Sequence, residues 1–232
     1  MKITKAALLK TTLIDYPEKI ACTIFLPGCN LRCPFCHNKD LVCGEEKNLV
    51  PIKEIIAHIS KRKNILQGVC ISGGEPLIYD ELPDLAEKIR AAGVKNIKID
   101  TNGLLPERLF DTKPDYIAMD IKTVPEKYSL LAKELFSPDI AEKIKNSIKK
   151  IIESNIEYEF RTTLVPGIVD NKDMEAIAHM IKGCKKYTLN KFVNKNTLDK
   201  SYSTVNPYTK EEYNIFLETV QKQGIPAFFR GF

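Results

Sequence analysis

Cys29, Cys33 and Cys36 fall within the stretch FLPGCNLRCPFCHN, Phe25 to Asn38, and form a C-x₃-C-x₂-C triad. Thiolates are soft donors that suit iron–sulfur clusters and zinc. The spacing is not that of a bacterial ferredoxin, which needs a fourth cysteine shortly after the third. Three thiolates on one tight loop can hold three irons of a cubane cluster and leave the fourth iron open to a substrate. Zinc is the rival reading, with His37 or Cys43 as fourth donor. Zinc ribbons come as paired C-x₂-C units, and no second pair exists in this chain.

Further groups able to do chemistry recur at the ends of apolar runs: Gly73-Gly74-Glu75-Pro76, Asp100-Thr101-Asn102-Gly103, and Asp120 with Lys122. Packing asks for apolar residues inside strands, not for these clusters just after them. Glycine lacks a Cβ, so Gly73 and Gly74 let a ligand approach the backbone closely. Glu75 and nearby carbonyls could accept from an ammonium group. Asp100 could instead cap a helix. Lys122 could neutralise a bound carboxylate, and a buried lysine needs such a partner. Arg161 lies in the apolar run EFRTTLV, where arginine is rare unless paired. It could meet a ligand or a structural carboxylate.

The elements that must position these groups alternate. Short apolar runs rich in strand formers read as strands at Ile20–Leu26, Gly68–Ser72, Asn96–Asp100, Tyr116–Ile121, Glu157–Val165 and Tyr187–Phe192. Helical spacing marks the stretch after Pro51, Glu81–Ala92, Ile140–Asn155, Lys172–Lys182 and Thr209–Gln223. A short helix is expected ahead of Tyr116. Ala6–Tyr16 reads as an edge segment, Lys195–Val205 as a loop near the active face, and Ala227–Phe229 as a short closing strand. Six β/α units imply a parallel sheet with right-handed crossovers. They are too few for a closed eightfold barrel. The expected fold is therefore α/β, a partial, splayed TIM-type barrel of about six units with parallel strands, in a single domain over residues 1–232.

The chain has 232 residues and a formal charge of +5. Its lysines are spread over helical stretches such as AEKIKNSIKK, a solvated face rather than a nucleic-acid surface, since no basic block is interleaved with aromatics. No stretch approaches the roughly 20 apolar residues of a membrane span. Seven cysteines, an odd number with three clustered, argue against a disulfide framework and for a reducing, cytoplasmic setting. Cys22, Cys43, Cys70 and Cys184 read as core or surface thiols.

The ordered set IDYPEK, FLPGCNLRCPFCHNKDLV, SGGEP, DTNG, AMDIK and EFRTTLVPG resembles the radical S-adenosylmethionine (SAM) superfamily. Within it, the set is most similar to the glycyl-radical-enzyme activases, above all those serving anaerobic ribonucleoside-triphosphate reductase. The resemblance runs from about Leu9 to Gly167. It implies that Cys29, Cys33 and Cys36 bind a 4Fe–4S cluster whose open iron takes SAM. Phe35 and the backbone around His37 would lie near the adenine. Gly73, Gly74 and Glu75 would hold the methionine amino end, and Lys122 the carboxylate or ribose side. Arg161 joins Lys122 as a candidate catalytic charge. Asp100, Thr101 and Asn102 belong to the cofactor-binding set, and Asp100, Asp120 and Thr101 match residues that hold a monovalent cation in pyruvate formate-lyase activases. Those activases carry a histidine after the sixth strand; here the segment is LNKFVN, with Asn190 or Asn194 as replacement. The implied partners are a glycyl radical enzyme and a flavodoxin or ferredoxin-type electron donor. The alternatives are action on another glycyl radical enzyme, a small-molecule reaction such as modified-base synthesis, and a non-catalytic iron–sulfur or zinc module.

Overall fold

In the computed structural model, which describes residues 2–132 and 137–231, the chain enters through strand β1, Lys5–Thr12. Its residues form two compact units. The first takes the chain up to Asn30, Asp40–Thr101 and Glu107–Ile117. In it follow β2 (Ala21–Leu26), α1 (Lys39–Cys43), β3 (Val50–Pro51), α2 (Ile52–Arg62), β4 (Gly68–Gly73), α3 (Leu82–Ala91) and β5 (Asn96–Thr101). The strand order is β3-β1-β2-β4-β5. β1 is antiparallel to β2 and to β3. From β2 onward the pairing is parallel, with Leu26 opposite Gly73 and Ile71 opposite Ile99. Strands buried on both faces read as continuous apolar runs. Accordingly Ile24, Leu26, Val69, Ile71, Ile97 and Ile99 are all buried. Ile55 and Ile59 bury the inner stripe of α2, and Leu85 and Ile89 that of α3. Each such side chain contributes about 1.5–3 kcal/mol.

The second unit takes Leu31–Lys39, Asn102–Pro106 and the chain from Ala118. Strand β6 (Tyr116–Asp120) runs into it from the first. It continues with α4 (Ser129–Ala132), α5 (Ile140–Glu153), β7 (Glu157–Leu164), α6 (Asn171–Met180), β8 (Tyr187–Lys191), α7 (Lys210–Gln221) and β9 (Ala227–Arg230). The order is β6-β7-β8-β9, and β7, β8 and β9 pair in parallel. Helix α5 buries Ile140, Ile144, Ile148 and Ile151 on one face, leaving its lysines to solvent. Capping boxes start α6 at Asp170 and α7 at Thr209, satisfying backbone donors that a helix end leaves open. Inside this unit Glu159 is 1% exposed. Thr188 Oγ1 donates to it at 2.9 Å and Arg230 pairs with it at 3.0 Å, so a buried carboxylate ties β9 back to β7.

Two local expectations change. No helix precedes β6: the chain passes through turns from Asn102 to Asp115. Pro114 biases the residue before it away from helical geometry, and that residue, Lys113, has φ 49°. The entering segment is a full strand that pairs on both sides, because the two-residue β3 covers its outer edge. Among the described residues, no helix is long and apolar enough to cross a membrane.

Candidate functional site

The first unit builds the start of the cysteine loop and the glycine turn against each other. Gly28 has φ 79° and donates its N–H to Leu41 O at 2.9 Å. Gly74 N–H donates to Leu26 O at 2.8 Å, and Glu75 N–H to Gly28 O at 2.9 Å. A Cβ on Gly74 would come within 1.8 Å of Gly28 O, and one on Gly73 within 2.4 Å of the Leu26 backbone. Two chain segments are therefore laid together with no room for side chains. Glu75 is 1% exposed. Its Oε1 accepts from Leu77 N–H at 3.0 Å and from Thr101 Oγ1 at 2.9 Å, so the carboxylate holds the turn and the end of β5 together. Cys29 follows directly on this turn.

On β5, Asp100 accepts from Ser72 Oγ at 3.1 Å through Oδ2. Its Oδ1 pairs with the ammonium of Lys98, a residue only 1% exposed. Lys98 escaped the sequence reading. The available signal was a lysine within the apolar run NIKID, two residues before an aspartate and so on the same strand face.

In the second unit, Cys36 N–H donates to Cys33 O at 3.0 Å, closing a tight turn around Phe35, which is buried. Arg32 N–H donates to Leu131 O, and Pro34 O accepts from Asp199 N–H, both at 2.8 Å. His37 Nδ1 lies 2.8 Å from Lys195 O, and its ring packs 6.4 Å from that of Phe192. The segment 195–205, read as a loop beside the active face, thus braces the cysteine turn. It includes one turn of 3₁₀ helix at Lys200–Ser203.

At the end of β6, Asp120 receives two cations: Lys122 Nζ on Oδ2 at 2.9 Å and Arg161 Nε on Oδ1 at 2.7 Å. The three side chains keep 24%, 20% and 11% of their surface. Burial alone would raise the Asp120 pKa. The charges of Arg161 and Lys122 outweigh it and hold the carboxyl well below the usual range. For Lys122 burial works against the ammonium, while Asp120 and the neighbouring Cys33 sulfur favour it, and its pKa ends raised. The Lys122 backbone N–H donates to the buried Tyr128 hydroxyl at 3.1 Å. Asn102 Oδ1 accepts from Leu104 N–H at 3.0 Å and shapes the turn after β5. Of the two asparagines in the segment LNKFVN, Asn194 donates to Val205 O at 3.1 Å. Asn190 keeps a buried Oδ1 with no hydrogen-bond partner among the described residues.

The site residues therefore form two groups. Cys29, Gly73, Gly74, Glu75, Asp100 and Thr101 belong to the first unit; Cys33, Phe35, Cys36, His37, Asn102, Asp120, Lys122 and Arg161 belong to the second. All seven cysteines are thiols, with no disulfide. Cys43 is exposed at the end of α1; Cys22, Cys70 and Cys184 are buried. The donor set of three thiols suits an iron–sulfur cluster by its chemistry, whereas the room left by the missing side chains of Gly73 and Gly74 is taken by the backbone of Leu26 and Gly28.

Comparison with known proteins agrees with this chemistry. Residues 23–181 match the sequence model of the radical SAM superfamily. The chain is 36% identical over 220 residues to a Methanocaldococcus jannaschii protein named as a glycyl-radical enzyme activating enzyme, covering 91% of this chain and 88% of that one. Among solved structures it is similar to a radical SAM methyltransferase from Sphaerobacter thermophilus, with TM-score 0.70 and 20% identity over 93% of this chain and 67% of that one. A domain of a pyruvate-formate lyase-activating enzyme from Bacteroides vulgatus matches with TM-score 0.55 and 20% identity, over 71% and 99% respectively. At such identities the structural likeness speaks for the fold alone, an α/β partial barrel of parallel strands.

Proposed function

The chain belongs to the radical SAM superfamily, whose members use a 4Fe–4S cluster and SAM, and from that premise we propose that it activates a glycyl radical enzyme, anaerobic ribonucleoside-triphosphate reductase. The observation that carries the proposal is the likeness to an activating enzyme along nearly the whole of both chains. Because the family match draws on residues of both units, we read residues 1–232 as one radical SAM domain. The segment LNKFVN, lacking the histidine of the formate-lyase activases, favours the reductase over formate-lyase as partner. Seven thiols without a disulfide fit a reducing, cytoplasmic compartment, where a flavodoxin or ferredoxin would supply the electron.

Cys29, Cys33 and Cys36 would hold the cluster. When bound, cluster and SAM would together supply one-electron, hydrogen-abstracting chemistry aimed at the Cα–H of a partner glycine. The chain's own residues bind, orient and shield. The backbone of Gly73, Gly74 and Glu75 would meet the methionine ammonium. Lys122 would meet its carboxylate, with Asp120 and Arg161 fixing the ammonium's position. Phe35 and the backbone at His37 would flank the adenine, and Asn190 offers a further acceptor. Fixed charges in a site that excludes water act more strongly than in solvent.

The experiment mixes cluster-loaded protein, SAM, a reductant and the reductase under anoxic conditions. Electron paramagnetic resonance should show a glycyl radical on the reductase, with 5′-deoxyadenosine formed. 5′-Deoxyadenosine without a radical on the reductase would point to another glycyl radical enzyme or to a small-molecule substrate. A protein that holds a cluster but never cleaves SAM would be an electron-carrying module.

A further inference from the structure

The resemblance described above implies a monovalent cation on aspartates at the positions of Asp100 and Asp120, beside Thr101. The residues here do not fit one. Each carboxylate is already neutralised inside its own unit: Asp100 by Lys98, and Asp120 by Lys122 and Arg161, one cation on each oxygen. The second oxygen of Asp100 accepts from Ser72.

We propose that the chain supplies this positive charge itself, as the ammonium of Lys98, and so binds SAM without an alkali cation. The proposal rests on the function given above. Lys98 lies between the buried Ile97 and Ile99, a position where an ammonium persists only when paired. Its surroundings meet that need: the Asp100 carboxylate, the Cys70 sulfur at 3.7 Å and the face of Tyr116 at 6.0 Å. A tethered ammonium on that oxygen repels a second cation arriving there. Unlike a bound ion, it also cannot dissociate. Lys98 is thus a positioning residue: it fixes Asp100, and with it the end of β5.

The test compares SAM affinity of the cluster-loaded protein in potassium, sodium and choline chloride at matched ionic strength. The natural protein should bind equally well in all three, within about twofold. Lys98→Met should bind at least about tenfold more weakly in choline and recover in potassium. Thallium(I), read by its nuclear magnetic resonance on the cluster-free chain, should bind Lys98→Met and not the natural protein. Potassium-dependent SAM binding or thallium binding by the natural protein overturns the inference. So does a folded Lys98→Met that responds to no cation. Should Lys98→Met not fold, Lys98→Arg keeps the charge and should stay cation-independent; dependence on potassium would overturn the inference. If the natural protein binds no SAM in any salt, the proposed function falls, while the thallium measurement still decides this point.

Discussion

Asp120 carries a lysine on one oxygen and an arginine on the other, so its loss leaves two partly buried cations facing each other. Breaking such a pair from one side costs about 3–5 kcal/mol. Asp120→Asn should fall at the lower end of that range, because the groups retain some solvent contact. Urea unfolding checks the value, and its pH course checks the cause. The folded pKa of Asp120 lies below its unfolded value, which is about 3.9, so its stabilisation is complete above that pH and disappears as pH falls through the lower folded value. The gap between natural protein and variant should stay level from neutral pH to about 4.5 and narrow only in stronger acid. Lys122→Ala should leave the cluster intact yet weaken SAM binding by at least about tenfold, since losing one member of a desolvated pair costs about 2–5 kcal/mol. SAM titration of the reduced protein measures it; unchanged affinity would return Lys122 to the class of surface lysines. Cys29→Ala, Cys33→Ala and Cys36→Ala should each abolish 5′-deoxyadenosine formation, whereas the exposed Cys43 should be replaceable. An inactive but folded Cys43→Ala would reopen the ligand assignment.

At the level of elements, the turn between β4 and the helical segment after it has no tolerance for a methyl group. Gly74→Ala would place a carbon 1.8 Å from Gly28 O, so it should lower Tm sharply and shed iron. Gly44, by contrast, has positive φ, 74°, and open space around it; Gly44→Ala should cost only about 1–2 kcal/mol. Equal effects in thermal melts would mean that the chain around Gly74 gives way to the added methyl group. The turn was legible in the sequence because glycines and a glutamate directly after an apolar run depart from strand composition; the packing they serve, against the Leu26 and Gly28 backbone and Thr101, was not. Strands β2, β4 and β6 were legible because their faces are buried and their residues largely apolar, and β5, β7 and β8 because apolar residues recur among polar ones in short runs of strand formers. The two-residue β3 carries too few residues to show a period. The absent helix before β6 shows the reverse error, since the segment forms turns from Asn102 to Asp115, with Lys113 before Pro114 in the left-handed region. The brace from His37 to Lys195 joins residues 158 apart, and no local pattern announces such a contact.

For the molecule as a whole, a single cysteine triad predicts one cubane cluster per chain. Iron and sulfide analysis after anoxic reconstitution should give about four of each; about eight would require a second set of ligands. The path of the chain has its own bearing on how that cluster is acquired. It passes between the two units five times, at residues 30/31, 39/40, 101/102, 106/107 and 117/118, so no single cut yields either unit intact. Cys29 belongs to the first unit and Cys33 and Cys36 to the second. The turn carrying the latter two is tied by Lys195 and Asp199, which leave the ribosome long after it. During synthesis the three thiols therefore emerge early and wait, unshaped and open to oxygen, until most of the chain has been made.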